Sequence, residues 1–372
     1  MEKQKCPEVR FKGFTLEWEE FKLENMFTFY RGESFSKSDI VKDGNFKCIH
    51  YGELFTKYNS VIDEVLSSTN LKGLNFGRIG DILMPSSDVT PDGLAKASCL
   101  KVDNVLLGGD INILRPVSLI SSVFISYQIN HSKEKILKCV TGTTVKHVYN
   151  KDLKELGYLI TTFKEQTQIG NFFQNLDQSI ALQEKKLSQT QNLKKAMLEK
   201  MFPKAGSTQP EIRLKGFSGD WALQPLENIF GKIRNAFVGT ATPYYVKSGR
   251  FYLESNNVKD GKINRKSEIF INDYFYYKQQ DKWLKTNDIV MVQSGHVGHA
   301  AVITEELNNS AAHALIMFTD YKVDADPHFI NYQIQTDNAK NEIDKITTGN
   351  TIKHILSSDM KKFSLLFPCV KE

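Results

Sequence analysis

The octapeptide Pro7-Glu-Val-Arg-Phe-Lys-Gly-Phe14 returns as Pro210-Glu-Ile-Arg-Leu-Lys-Gly-Phe217, with only Val/Ile and Phe/Leu exchanged. The agreement spreads outward from both copies. Trp18 answers to Trp221, and Leu23-Glu-Asn-Met-Phe27 to Leu226-Glu-Asn-Ile-Phe230, all at an offset of 203 residues (210 less 7). Further on, Gly80-Asp-Ile-Leu-Met84 resembles Asn287-Asp-Ile-Val-Met291, and Phe124-Ile-Ser-Tyr-Gln-Ile129 resembles Phe329-Ile-Asn-Tyr-Gln-Ile334. Thr141-Gly-Thr-Thr-Val-Lys-His147 returns as Thr348-Gly-Asn-Thr-Ile-Lys-His354, at an offset of 207. Segments in one order, with offsets drifting only from 203 to 207, describe a duplicated domain. A period this long far exceeds the roughly 20–50 residues of stacked solenoid repeats.

Between the shared segments the copies part. Residues 50–75 read HYGELFTKYNSVIDEVLSSTNLKGLN, whereas 255–285 read SNNVKDGKINRKSEIFINDYFYYKQQDKWLK. The divergence is rich in polar and aromatic residues rather than in core swaps. A common frame with different interiors suggests two modules of one fold that face different ligands, the alternative being neutral drift after duplication.

Composition bounds the answer. The chain has 372 residues, 41% hydrophobic, 24% charged and 11% aromatic, which suits a globular protein of two domains. Its net charge of +5 permits nucleic-acid binding without demanding it. Residues 1–14 contain no apolar signal segment, and runs such as Ala314-Leu-Ile-Met-Phe318 fall far short of the ~18 residues of a membrane span. Cys6, Cys48, Cys99, Cys139 and Cys369 are odd in number and scattered, with no Cys-x-x-Cys pair. A reducing cytoplasm is therefore expected, without a disulfide framework or a cysteine zinc site.

Periodicity predicts short strands at Phe46-Lys-Cys-Ile-His-Tyr51, Asp81-Ile-Leu-Met84, Asn112-Ile-Leu114 and Asp288-Ile-Val-Met-Val292, with Gly, Asn and Asp supplying the turns. Helical spacing marks 121–130 and 328–338. Each copy thus reads as a mixed α/β (α+β) module, spanning 1–160 and 206–372. The segment 161–205 between them differs. Thr162-Phe-Lys-Glu165 is a capping-box pattern, and the apolar positions Ile169, Phe172, Phe173, Leu176, Ile180, Leu187, Leu193, Met197 and Met201 follow at helical intervals until Pro203 and Gly206. A helix of that length is a coiled-coil-type rod of roughly 60 Å whose apolar stripe needs a partner.

At this point the sequence resembles the specificity subunits of type I restriction-modification systems. The likeness rests on the two octapeptides with their tryptophans and on the Thr-Gly-x-Thr-Val/Ile-Lys-His segment near each module's end. It rests also on Lys164-Glu-Gln-x-x-Ile-Gly-Asn-Phe-Phe-x-x-Leu-Asp177, which looks like the start of the family's central helical region. The resemblance implies two tandem target-recognition domains, each reading half of a split sequence in double-stranded DNA. It implies helical spacers forming an antiparallel coiled coil, with methyltransferase (modification) subunits docked on them. Those subunits use S-adenosylmethionine, while a motor/endonuclease (restriction) subunit uses ATP and Mg; the specificity subunit does no chemistry and binds no cofactor.

The residues agree with a non-catalytic reading. There is no Gly-x-x-x-x-Gly-Lys-Ser/Thr, no Gly-x-Gly-x-x-Gly and no Pro-Pro pair of the kind found in amino-methyltransferases. His296 and His299 lie in a glycine-flanked loop without Cys or carboxylate neighbours, so no metal site is expected. Base reading calls for polar side chains in a groove. The candidates are His50, Tyr51, Lys57, Tyr58, Ser86 and Ser87 in the first module. In the second they are Lys278, Gln279, Gln280 and Lys282, with Gln293, Ser294, Gly295 and His296. Lys146 and His147 recur as Lys353 and His354, so they cannot distinguish two targets; they serve the fold or a common phosphate contact. A non-catalytic interaction scaffold built of two binding modules is the alternative. Finally, Asp359 aligns with Asp152 and Glu372 with Glu165, so the alignment runs out where a second spacer helix is expected to begin. The single rod is then expected to expose its stripe and to pair with another subunit's helix or self-associate.

Overall fold

A computed structural model describes residues 6–349, 352–369 and 372. The chain forms two compact units, Met1–Lys185 and Lys186–Glu372.

The first unit is built on the strand Ile82–Pro85, whose residues are all buried. Ile82 and Met84 enter one core with Leu114, Phe124 and Ile129, while Leu83 enters a second with Leu100 and Ile113. Because side chains alternate along a strand, a run that is apolar at every position must be covered on both faces. It accordingly lies in the middle of a five-stranded sheet, in the order Phe27–Arg31, Ile111–Pro116, Ile82–Pro85, Ser98–Leu100, Val61–Ile62. A second five-stranded sheet has the order Ile40–Val41, Ser67–Thr69, Phe46–Ile49, Val105–Leu107, Phe76–Gly77. Glu19–Lys22 pairs antiparallel with Gly157–Ile160, which ties the start of the module to its end.

The second unit repeats this plan. Ile289–Val292 is buried throughout, with Ile289 and Met291 in one core and Val290 and Val292 in the next. The sheets run Phe230–Asn235, Leu315–Tyr321, Ile289–Val292, Ala300–Val302 and Tyr245–Val246, Phe270–Ile271, Arg250–Leu253, Ala311–Ala312. Ala222–Pro225 pairs antiparallel with Ser364–Phe367, as the closing pair does in the first unit. The differences fall where the sequences part. The first unit has the helix Tyr51–Thr56 and the edge strand Val61–Ile62, whereas the second has the hairpin Val258–Lys259/Lys262–Ile263 and the helix Asp273–Lys278.

Two expectations need adjustment. The helix predicted over 328–338 is two helices, Pro327–Ile334 and Asp337–Ile346. Thr336 is extended and its Oγ1 accepts the Ala339 N–H at 3.2 Å, an N-cap that ends one helix and opens the next. The long helix, Phe163–Met201, is continuous over 39 residues, and the boundary between the compact units falls within it. Its predicted capping box is half made: Thr162 Oγ1 accepts the Glu165 N–H at 3.4 Å, while the Glu165 carboxylate turns to Arg10 and Thr161.

Candidate nucleic-acid interface

In the first module the candidates cluster around the helix Tyr51–Thr56. His50 caps it: Nδ1 accepts the Gly52 N–H at 3.3 Å and its own N–H donates to Glu53 at 2.9 Å. Tyr51 is half-buried, its ring 4.5 Å from that of His50. Lys57 donates to Glu53 at 2.5 Å and to Ser67 at 3.1 Å. Burial pushes the Glu53 carboxyl up, but the hydrogen bonds from Lys57, Ser67 and the His50 backbone outweigh it and hold the group below the ordinary range. The Lys57 charge is therefore engaged inside the module.

Tyr58, Ser86 and Ser87 are corrected from groove residues to interior ones, since each is less than a tenth exposed. Tyr58 Oη accepts the Leu66 N–H at 3.1 Å, and Ser86 Oγ accepts from Arg31 at the same distance. Ser87 sits in a ladder opposite His147. Two-residue strands and polar interior contacts leave no periodic trace, so composition alone reads such residues as surface.

In the second module Lys278 and Gln280 are exposed, but Gln279 between them is buried. Its Oε1 accepts from Tyr252 Oη and its Nε2 donates to the Phe275 carbonyl, each at 3.2 Å. One residue of helix turns the side chain by about 100°, enough to carry it from solvent to core. Lys282 reaches the Ala236 carbonyl at 3.4 Å. Gln293, Ser294, Gly295 and His296 follow the central strand; Gly295 takes φ +84° and donates its N–H to the Lys353 carbonyl at 3.0 Å. Exposed His296 lies with Nε2 3.2 Å from the Ser255 carbonyl and its ring 5.5 Å from His299. Among the described residues, no three His, Cys, Asp or Glu side chains gather as a metal group.

The repeated Lys-His segments are hairpins. Thr141 and His147 exchange backbone hydrogen bonds at 3.0 and 2.8 Å, as Thr348 and His354 do at 2.9 and 2.7 Å. Gly142 and Gly349 carry φ of +98° and +100°, and a Cβ on either would meet a carbonyl oxygen at 2.2 Å. His147 pairs with Ser87, and His354 bridges Ser294, so each hairpin is stitched to the chain just after a central strand. Lys146 Nζ donates to the Gly142 carbonyl at 2.8 Å, whereas Lys353 reaches Asp344 at 3.2 Å.

The long helix meets each unit at one end. In the first unit Phe172 and Phe173 lie against Phe11 and Tyr127 with ring centroids 5.7 and 5.5 Å apart. Gly170 is buried, and a Cβ there would stand 3.2 Å from the Phe124 amide, so the glycine admits close approach. In the second unit Phe202, just past the helix, contacts Trp221 and Phe329. Met197 lines a cavity of about 400 Å³ beside them, and Met201 belongs to the same wall. Ile169 packs against the first core, but the central positions Ile180, Leu187 and Leu193 are 56–59% exposed. No helix among the described residues is long and apolar enough to cross a membrane.

One feature missed in the sequence is the ion pair Arg10–Glu165, bidentate at 2.5 and 2.7 Å, with Glu165 fully buried. Burial raises the Glu165 carboxyl, yet the Arg10 and Thr161 hydrogen bonds prevail and hold it below the ordinary range. Arg213 and Glu372 form the same pair at 2.7 and 2.5 Å. Both members recur in the duplication, which was the available signal.

Residues 15–192 match the model of the type I restriction modification DNA specificity domain. A protein of Mycoplasma pneumoniae named as a type I specificity subunit is 22% identical over 248 residues, or 66% of this chain and 58% of that protein. A crystal structure of a type I restriction-modification S subunit from M. genitalium superposes with a TM-score of 0.62 at 13% identity, covering 97% of this chain and 87% of that one. Over residues 15–192, just under half of the chain, the similarity is to that specificity domain. A further structure, described as concerning complex assembly and conformational transition of the type I R-M system, matches with a TM-score of 0.51 at 12% identity over 98% of this chain and 88% of that one. These structural likenesses are likenesses of fold. The matched domain covers the first module and most of the long helix; the second module shares the strand order and the repeated segments of the first.

Proposed function

We propose that this chain supplies DNA sequence specificity to a type I restriction-modification complex, each module reading one half of a bipartite target. The observation that carries the reading is a shared two-sheet frame whose two copies differ in the polar segments at 50–75 and 255–285, in a chain whose residues 15–192 match the specificity-domain model. A common frame suits contacts to phosphates, which are alike at every site, and variable segments suit base edges. The helix Phe163–Met201 spaces the modules and docks methyltransferase subunits. Its exposed central positions take up a helix from another subunit or from a second copy of the chain. The chemistry belongs to partners: S-adenosylmethionine to the methyltransferase, ATP and Mg to the motor/endonuclease. This chain acts without catalysis.

The test is co-expression with a cognate methyltransferase subunit, followed by sequencing of methylated adenines. A gapped two-part motif is expected. No methylation with any partner contradicts the reading. Lys282→Ala or Gln293→Ala should change the bases preferred in one part, whereas Lys353→Ala should lower affinity evenly across sequences with a shallower salt dependence.

A further inference from the structure

The helix Asp273–Lys278 occupies the stretch in which the second module departs from the first. Phe275 and Tyr276 face inward, while Tyr274 and Tyr277, three residues apart and so on one helical face, are 69% and 53% exposed. They are the outer members of a fixed aromatic stack. Tyr244 lies parallel to Phe275 at 4.1 Å, and Tyr276 lies nearly parallel to Trp283 at 4.3 Å. Tyr274 stands 6.3 Å from Tyr244, and Tyr277 stands 5.8 Å from Trp283. The stack is pinned by polar contacts, Tyr276 Oη to the Asn309 carbonyl at 2.8 Å and Trp283 Nε1 to the Tyr276 carbonyl at 3.2 Å.

Two large rings held in solvent on a rigid base form a preorganised contact surface. Neither outer phenol has a hydrogen-bond partner among the described residues, so each hydroxyl is open to a ligand. Cations flank the pair. Lys278 is exposed with no carboxylate partner among the described residues, and Arg250 lies 5.0 Å from the Tyr276 ring centroid. Asp273, on the same helix, pairs with Arg250 at 3.2 Å, which leaves Lys278 as the unpaired cation beside the rings among the described residues. Aromatic rings with open hydroxyls beside positive charge complement a polyanion that offers base edges, thymine methyl groups and sugars in its grooves. The first module offers no such surface at its own insert, where Tyr51 and Phe55 are half-buried.

We propose that Tyr274 and Tyr277 are specificity-determining residues of the second module, entering a groove of double-stranded DNA to contact base edges and sugars while Lys278 holds a phosphate. This rests on the DNA-reading function proposed above. The hydroxyls distinguish donors from acceptors on the base edge, and the rings supply apolar contact to thymine methyl groups and sugars.

The experiment uses the full chain in complex with its methyltransferase subunits and a pool of randomised DNA duplexes, for wild type, Tyr274→Ala/Tyr277→Ala and Tyr274→Phe/Tyr277→Phe. Wild type should enrich a two-part motif. The alanine pair should lose preference at one part, with affinity for the wild-type motif down at least tenfold, and keep the other part. The phenylalanine pair should keep most affinity but relax the base choice. Thermal melting of the variants controls for folding. If wild type enriches no motif, the DNA-reading function itself falls. If wild type enriches a motif and the folded alanine pair reads both parts unchanged, only the aromatic contact falls. If instead the alanine pair fails to assemble with the methyltransferase, the face is a protein-docking surface and the proposal is overturned.

Discussion

Asp81 and Asp288 hold the same place in the two modules, and each does the same first job. Each carboxylate accepts the N–H three residues before it, Arg78 at 2.9 Å and Lys285 at 2.7 Å, closing the turn that launches the central strand. Both are buried. The ladder places Leu114 opposite Ile82 and Phe318 opposite Ile289, so the next residues, Arg115 and Thr319, correspond. In the first module Arg115 grips Asp81 at 2.9 and 2.7 Å. In the second module Thr319 carries no charge, and burial pushes the Asp288 carboxyl up to about 6. The turn is common property; the answer to the buried charge is not. One module pairs it with a cation, and in the other burial makes the acid hold its proton to higher pH, so the two turns share their hydrogen bonds and differ in their electrostatics.

The comparison can be broken most forcefully at Arg115. Arg115→Ala leaves Asp81 buried and uncompensated, and should destabilise the first module by about 3–5 kcal/mol while leaving the second unchanged. Urea unfolding followed by hydrogen exchange in each module would read this; equal loss in both would mean that the modules do not unfold independently. A smaller effect is expected at Arg10→Ala, a loss of stability in the first module with faster exchange over the first turns of the long helix, because the buried Glu165 loses its partner. Gly142→Ala and Gly349→Ala should each cost about 1–3 kcal/mol, and by similar amounts, because the two glycines share a positive φ and a Cβ on either would meet a carbonyl oxygen. Unequal values would show that the hairpins are supported differently by their modules.

The smallest effect expected is also the most diagnostic. A carboxyl raised in the folded state contributes stability that is complete below its unfolded value near 3.8 and is lost as the pH rises through about 6. The second module should therefore lose roughly 1–2 kcal/mol from this group between pH 4 and pH 6. Asp288→Asn should flatten that portion of its pH–stability curve. A curve unaltered by the substitution would show Asp288 to be solvated rather than buried.

Much of the frame was legible in the chain. The buried strands Ile82–Pro85 and Ile289–Val292 declared themselves as short apolar runs between turn residues, and the long helix as an apolar series behind Thr162. The candidate interface was far less legible. Gln279 sits between exposed Lys278 and Gln280 yet points inward, and Ser86 and Ser87 are polar but buried. Burial of a polar side chain depends on which distant carbonyl or hydroxyl comes to meet it, and nothing local encodes that. Tyr274 and Tyr277 were passed over for the converse reason, since an aromatic cluster reads as core until its neighbours show which rings lie outside.

The sequence by itself determined the duplication, the order of the shared segments and the helix between the modules, because matched side chains at a nearly constant offset and regular apolar spacing are properties of the chain alone. Only the tertiary structure decided which member of each polar cluster faces solvent, that Arg10 meets Glu165 across 155 residues, and that Asp81 is gripped by an arginine where Asp288 has no ion-pair partner among the described residues. Those outcomes depend on contacts between segments remote in sequence, where a few ångströms separate a paired charge from an unpaired one.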